Sequence, residues 1–209
     1  KISSYLQDVR TKKGFDNKSY YLVSTQSTNK PACDGKINIG STMDLSAELA
    51  SVCRKIYQGL FLPILNQNQK GGIKGKYLKL IVLNDTYEPT LAKKNIANLL
   101  GKYKTNIILS SQGTPTLKAY IDLVKSGKII VLFPFTGGSE FRLPELSNIV
   151  HLRASFKDEG KALLWYATKI LKLQKFVLFY QNDLSGLDLS RGAKKVLSKS
   201  KKTKFIEVE

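Results

Sequence analysis

The sequence predicts an α/β fold, a parallel sheet with helices on both faces. From Lys36 onward, short β-branched runs alternate with amphipathic stretches, the signature of successive βαβ units. The run 129–133 is wholly apolar, as strands covered on both faces tend to be. With 42% hydrophobic residues over 209 positions, the chain has the composition of a globular protein with a substantial core.

Residues 1–33 are polar and lysine-rich, carry one strand-like patch at Tyr20 to Val23, and end in the turn-prone Asn29, Lys30 and Pro31. They read as an extension or linker. A first lobe over 34–150 opens with a strand at 37–39, a polar loop at 40–46 and a helix over about 47–66. Asp44 or Ser46 is placed to cap that helix, and Pro63, which lacks an amide proton, is expected to bend its last turns. After the turn at Gly71 and Gly72 come a strand at 78–83, a loop at 84–89 and a helix over 89–103. A strand at 106–109 leads through the loop 110–116 into a third helix reaching 124, and then to the apolar strand. Past Gly137 and Gly138, a crossing segment at 149–153 enters a second lobe, 151–209. It contains a helix over 157–171, a strand at 175–180, a loop at 181–186, a helix over 187–199 and a strand at 204–208. The chain stops on that strand with too few strands for an independent doubly wound domain, so the fold is expected to be incomplete at its carboxyl terminus.

The formal charge of +18, from 34 Lys+Arg against 16 Asp+Glu, raises the question of nucleic acid. The lysines are spread along the whole chain, and the arginines are only Arg10, Arg54, Arg142, Arg153 and Arg191. Bidentate reading of phosphate or guanine favours arginine, so a solvated lysine surface is expected and no nucleic-acid partner. No run approaches the ~20 apolar residues of a membrane span, and residues 1–33 lack the apolar core of a signal peptide. Two cysteines without CxxC spacing and a single histidine argue against a metal site. Leu49, Val52, Cys53, Ile56 and Leu60 follow i, i+3, i+4 spacing and put Cys53 on the buried face of a helix. A buried free thiol is expected there. A Cys33–Cys53 disulfide stays open, because the required Cα separation of ~5.5–6 Å is not readable from sequence.

Gly71, Gly72, Ile73, Lys74 and Gly75 precede the second strand, and Asp85, Thr86, Tyr87, Glu88 and Pro89 follow it. This GGIxG turn and D-x-x-x-P loop, in this order and at this spacing, resemble the Leu/Ile/Val-type (type I) periplasmic solute-binding proteins. Each motif also has an architectural reason: the glycines allow positive φ in a tight turn, and proline suits the first position of a helix. The resemblance runs from about Lys36 to the carboxyl terminus. It implies two α/β lobes with a small solute held in the cleft between them, no cofactor, a membrane permease or receptor as partner, and a periplasmic or otherwise extracytoplasmic location.

In such sheets ligands sit outside the carboxyl ends of the strands. That rule selects Thr42 and Met43 after the first strand, and Ser111, Gln112, Gly113 and Thr114 after the third. It also selects Phe135, Thr136 and Gly137 after the fourth strand, and Ser185 on the second lobe. Hydroxyls and free amides at a helix amino terminus suit a carboxylate or another anion, although serine and threonine there also simply cap helices. Departures from the family are specific. Gly113 stands where a serine usually holds the ligand carboxylate, Gly137 where a threonine is expected, and Ser185 where an aromatic ring commonly covers the ligand. These departures leave open a wider pocket, a different solute, or loss of binding.

The expected function is binding of an amino acid or related small polar or anionic molecule, as the receptor component of an ABC-type transport system. A ligand-sensing receptor domain and a degenerate lobe acting as a protein-interaction module remain as alternatives, and a homodimer through exposed apolar edges is allowed. An enzyme is not expected. His151 sits beside apolar residues on the crossing segment, GxxxxGK[ST] and GxGxxG are absent, and the spacing of Asp85 and Glu88 is weak evidence for paired carboxylates.

Overall fold

The computed structural model describes residues 20–23, 35–199 and 203–208, with 20–23 described in the backbone alone. Apart from 20–23, the extension expected over 1–33 lies outside the described residues, and so does Cys33. The chain divides into two compact units, Lys1–Thr105 and Asn106–Glu209.

In the first unit the strands are β1 (Tyr20–Val23), β2 (Lys36–Met43) and β3 (Tyr77–Asn84), in the order β1-β3-β2. β2 and β3 pair in parallel from Lys36 opposite Tyr77 to Met43 opposite Asn84. The strand-like patch before the lobe forms β1, which pairs antiparallel with the far edge of β3, Tyr20 opposite Leu83. The helices are α1 (Ala50–Gln69) and α2 (Pro89–Gly101), the latter with its proline in the first turn as expected. Leu80, Ile81, Val82 and Leu83 are all buried. Because successive strand residues point to opposite sides, both faces of β3 are covered. α1 is tied to β3 through Asn68, whose Nδ2 donates to Leu78 O at 2.8 Å and whose Oδ1 accepts from Leu78 N at 2.7 Å. On α2, Leu99 lies over Gly40 of β2.

Three expectations are corrected here. The loop expected at 40–46 starts later, because parallel pairing to β3 carries β2 through Met43 and leaves Ser41, Thr42 and Met43 as buried strand residues. Neither Asp44 nor Ser46 caps α1 from the Ncap position, which Leu49 occupies without a side-chain cap bond. Asp44 instead gathers the chain just before the helix, accepting from the backbone N–H groups of Ser46, Ala47 and Leu49 at 3.0, 2.6 and 2.8 Å. The buried stripe of α1 is also rotated from the expected set. It runs through Ala50, Cys53, Tyr57, Phe61, Ile64 and Asn68, while Val52 is exposed. The two Asn68 bonds to β3 orient this stripe, since a buried amide has to keep its hydrogen-bond partners. Cys53 is buried and free on that face, and the helix continues past Pro63 to Gln69.

In the second unit β4 (Ile107–Leu109), β5 (Ile130–Leu132) and β6 (Ile149–Val150) pair in parallel in that order. The third helix, expected to run unbroken to 124, forms as two short ones, α3 (Thr114–Lys118) and α4 (Ile121–Lys125). The break at Tyr120, with φ −125°, turns its ring into the interior, where its hydroxyl donates to Ser111 Oγ at 2.8 Å. Not every residue of the apolar strand is covered as expected, since Ile130 and Phe133 are exposed while Val131 is buried.

Next come α5 (Phe156–Lys169), β7 (Lys175–Phe179), α6 (Leu184–Leu197) and β8 (Lys204–Val208), with β7 and β8 paired in parallel. Ser155 caps α5 by accepting from Asp158 N at 3.0 Å, and Asp183 caps α6 by accepting from Gly186 N at 2.8 Å. α6 therefore starts earlier than the expected 187, and Ser185 and Gly186 belong to its first turn. α5 and α6 pack closely, with Gly160 against the Leu189 carbonyl and Gly192 against the Lys157 carbonyl. On β7 and β8, Val177 and Phe179 share an exposed face with their register partners Ile206 and Val208, Phe179 being 80% exposed. The expected lobe boundary between 150 and 151 lies inside this unit, and bonds such as Ser139 Oγ to Asp188 Oδ2 at 2.6 Å join residues on either side of it.

Candidate functional site

The ends of β4 and β5 and the start of α6 bring three hydroxyls together in the second unit. The β4 and β5 ends are laced by backbone bonds: Phe135 N donates to Ser111 O at 2.8 Å and Gly113 N to Phe135 O at 3.4 Å. This lacing sets Thr114, the first residue of α3, beside Thr136, with their Oγ1 atoms 2.6 Å apart. Thr114 Oγ1 also lies 3.2 Å from Ser185 Oγ, in the first turn of α6. Thr136 Oγ1 additionally accepts from Gly138 N at 3.2 Å. Of the three, Thr114 and Thr136 are buried and Ser185 is partly open.

The other positions selected from sequence in this unit surround the cluster in the chain. Ser111 and Gln112 are buried; Ser111 Oγ is taken by Tyr120, and Gln112 Oε1 has no hydrogen-bond partner. Gly113 has φ +103°, a backbone conformation that disfavours the serine expected there. Gly137 has a different constraint. A Cβ there would lie 2.8 Å from Phe156 Cδ1 and 2.9 Å from Phe156 N, so a threonine does not fit beside the start of α5. Phe135 is 40% exposed.

Sequence reasoning did not single out Arg153 or Asp188 as site residues. The Arg153 guanidinium lies 5.7 Å from the Phe135 ring centre and 4.8 Å from that of Phe156, and forms a bidentate pair with Glu159, both bonds 2.9 Å. Asp188 is buried and accepts from both the amide and the hydroxyl of Ser139, at 3.2 and 2.6 Å. An arginine just after the crossing strand was the one legible signal. Its ring partners lie 18 residues upstream (153 − 135) and 3 downstream (156 − 153), and only folding brings Phe135 to it.

Thr42 and Met43 belong to the first unit, where both are fully buried. Thr42 Oγ1 donates to Asp85 Oδ2 at 2.8 Å and accepts from Asn95 Nδ2 at 3.0 Å, so its hydrogen-bonding capacity is largely spent inside the unit. Asp85, fully buried, also accepts from Tyr87 N at 3.0 Å. Burial pushes its carboxyl up to about 6, against the lowering effect of the Thr42 and Tyr87 bonds. The same surroundings, burial first and the negative Asp44 next, push the Cys53 thiol up to about 11, which keeps it protonated. In the second unit, burial holds His151 below the ordinary histidine range, and its Nε2 meets Phe141 O at 3.0 Å.

Chemically, three clustered hydroxyls can each donate and accept, so together they can meet a carboxylate, an amide or a hydroxyl. Among the described residues no group of His, Cys, Asp and Glu is arranged to hold a metal ion, and no helix is long and apolar enough to cross a membrane.

Residues 36–206 match the family model described as Periplasmic binding protein. No curated protein matches the chain. A solved structure described as a possible leucine/isoleucine/valine-binding protein from Rhodopirellula baltica shares 24% identity at a TM-score of 0.71, over 86% of this chain and 50% of its own. An extracellular ligand-binding receptor from Verminephrobacter eiseniae shares 21% at 0.76, over 83% and 49%. A solute-binding protein of an ABC transporter from Rhodopseudomonas palustris, solved with 3,4-dihydroxybenzoic acid, shares 18% at 0.72, over 83% and 46%. The chain spans about half the length of these solved structures, and at these identities the likeness is one of fold.

Proposed function

Because the chain belongs to the periplasmic binding protein family, we propose that it binds a small solute outside the cytoplasm, as the receptor component of an ABC-type transport system. The solute is an amino acid or a related small polar or anionic molecule, and a membrane permease is the partner. The observation that carries this reading is the meeting of Thr114, Thr136 and Ser185 within hydrogen-bond reach of one another. Ligand oxygens take over the contacts that these hydroxyls make with one another. The backbone amides at the start of α6 add a positive dipole end beside Ser185. Phe135 supplies an apolar wall, with Ser111, Gln112, Gly113 and Gly137 shaping the loops around it. Thr42 and Met43 act from the interior of the first unit by holding the end of β2 rigid.

The site chemistry favours holding over transforming. The single histidine, a common activating base for a hydroxyl, bonds the Phe141 carbonyl instead. With Gly113 in place of a serine and Ser185 in place of a covering ring, the pocket suits a solute broader than an α-amino acid; Gly137 adds no room, because Phe156 fills the space beside it. A small aromatic carboxylate, the ligand class seen in the Rhodopseudomonas palustris protein, belongs in the first panel tested.

Thermal unfolding with amino acids, short aliphatic carboxylates and aromatic carboxylates tests the proposal. A ligand at a hundredfold excess over Kd stabilises by ~2.7 kcal/mol. For whichever class shifts the transition, Thr114→Val should weaken binding about tenfold, corresponding to ~1.4 kcal/mol. No shift with any class, or an affinity that Thr114→Val leaves unchanged, refutes it.

A further inference from the structure

We infer that the groove between α5 and α6 in the second unit is a binding site for a small polyanion with an aromatic or apolar body, separate from the hydroxyl cluster. The groove has a volume of about 620 Å³ and is lined by Lys161, Lys169, Lys172, Lys195 and Lys199 together with Trp165. A cavity of this size suits a small molecule, since ligand pockets run to roughly 300–1,000 Å³.

Charge is the first reason. Five lysines line the groove against one lining carboxylate, Asp158, whose Oδ2 accepts from the Ser155 hydroxyl at 2.7 Å. Among the described residues none of the five lysines has an acidic partner within ion-pair distance, whereas Lys194 one residue away pairs with Glu207 at 3.0 Å. The positive charges of the lining lysines therefore add, which concentrates anions in a concave site.

A simpler role exists for two of them. Lys169 and Lys195 lie in the last turns of α5 and α6, where a cation offsets the helix dipole. Each helix end contributes only about half a negative charge. Two ends therefore leave most of the positive charge in the groove uncompensated.

The apolar part of the groove is the second reason. Trp165, 52% exposed, is the only tryptophan in the chain, and Ala162 and Val196 share the lining with it. An indole face among ammonium groups offers stacking to one part of a ligand and charge to another. Its concave shape fits a compact molecule better than a flat anionic membrane. None of the described lining residues is an arginine, the side chain nucleic acid would favour.

Trp165 is also the reporter. The full chain is titrated with ATP, inorganic tripolyphosphate, a short poly-glutamate peptide and phosphatidylglycerol vesicles, following tryptophan fluorescence at about 0.15 M ionic strength. ATP should give a saturable change, and tripolyphosphate a weaker one through charge alone. The double variant Lys169→Glu, Lys195→Glu should weaken ATP binding by tenfold or more, while Lys93→Glu, Lys94→Glu on α2 and Thr114→Val should leave it unchanged. Circular dichroism checks that the double variant is folded; if it is not, Lys161→Gln with Lys172→Gln takes its place. The inference is overturned by no saturable ATP signal, by equal weakening in the α2 variant, or by a response to the peptide or the vesicles but not to ATP. Because Thr114→Val does not enter the groove, failure here leaves the solute-binding proposal standing.

Discussion

Replacing Asp85 with asparagine should remove a specific pH dependence from the stability of the first unit. The carboxyl is fully buried and is pushed from 3.8 to about 6, a rise of about two units. At 1.36 kcal/mol per unit this amounts to ~3 kcal/mol. The direction follows from which state holds the proton more tightly. With its pKa raised in the folded state, Asp85 binds its proton better folded than unfolded. Its contribution is fully present below the unfolded pKa, near 4, and is lost as pH rises through about 6.

Asparagine cannot ionise, so the variant lacks this loss. Its Oδ1 can still accept from Tyr87 N, but its amide nitrogen then faces Thr42 Oγ1, and the Thr42 proton loses its acceptor. That costs about 1 kcal/mol at every pH and moves the curve without tilting it. The assay is urea unfolding of both proteins at several pH values from about 4 to 8, reading wild-type stability minus that of the variant. The difference should fall by ~3 kcal/mol across the window. His151, whose lowered pKa destabilises the fold as pH falls, is present in both proteins and cancels. A difference constant within about 1 kcal/mol refutes the account of Asp85 as a buried acid whose pKa is raised by folding.

Two further outcomes test the packing. Asn68→Ala leaves both backbone groups of Leu78 without their side-chain partners inside the first unit, and should cost ~2–4 kcal/mol by denaturant unfolding, whereas an exposed asparagine on α1 such as Asn66 should cost little. Gly192→Ala places a methyl group against the Lys157 carbonyl of α5 and should destabilise the second unit by ~1–3 kcal/mol. Gly59→Ala on α1, where the added carbon meets nothing within 4 Å, should instead stabilise by up to ~1 kcal/mol through helix propensity, and a destabilisation there would count against the helix assignment.

Much of the architecture was legible in short windows of sequence. The strand–helix alternation, the turn at Gly71 and Gly72, Pro89 opening α2 and the patch at Tyr20 to Val23 all rest on propensity and periodicity within a few residues. So did the buried environment of Cys53, although the stripe it belongs to turned out to be set by Asn68 and two aromatic rings. The third helix misled because nothing local announces that Tyr120 turns inward to reach Ser111.

Side-chain roles depended on partners far along the chain. Thr42 sits on a position expected to be a loop, but pairing of β2 with β3 buries it, and its hydroxyl goes to an aspartate 43 residues away. Gly137 reads as a missing threonine until Phe156 is found against it. Thr114 and Ser185, 71 residues apart, were legible only as two separate polar loops. Composition likewise counted the lysines without showing that five of them line one groove beside the single tryptophan. Local chemistry decides which residues are helical, extended or capped. Which hydroxyl meets which, and which charges converge, is decided by strand pairing and helix packing that close loops of tens of residues.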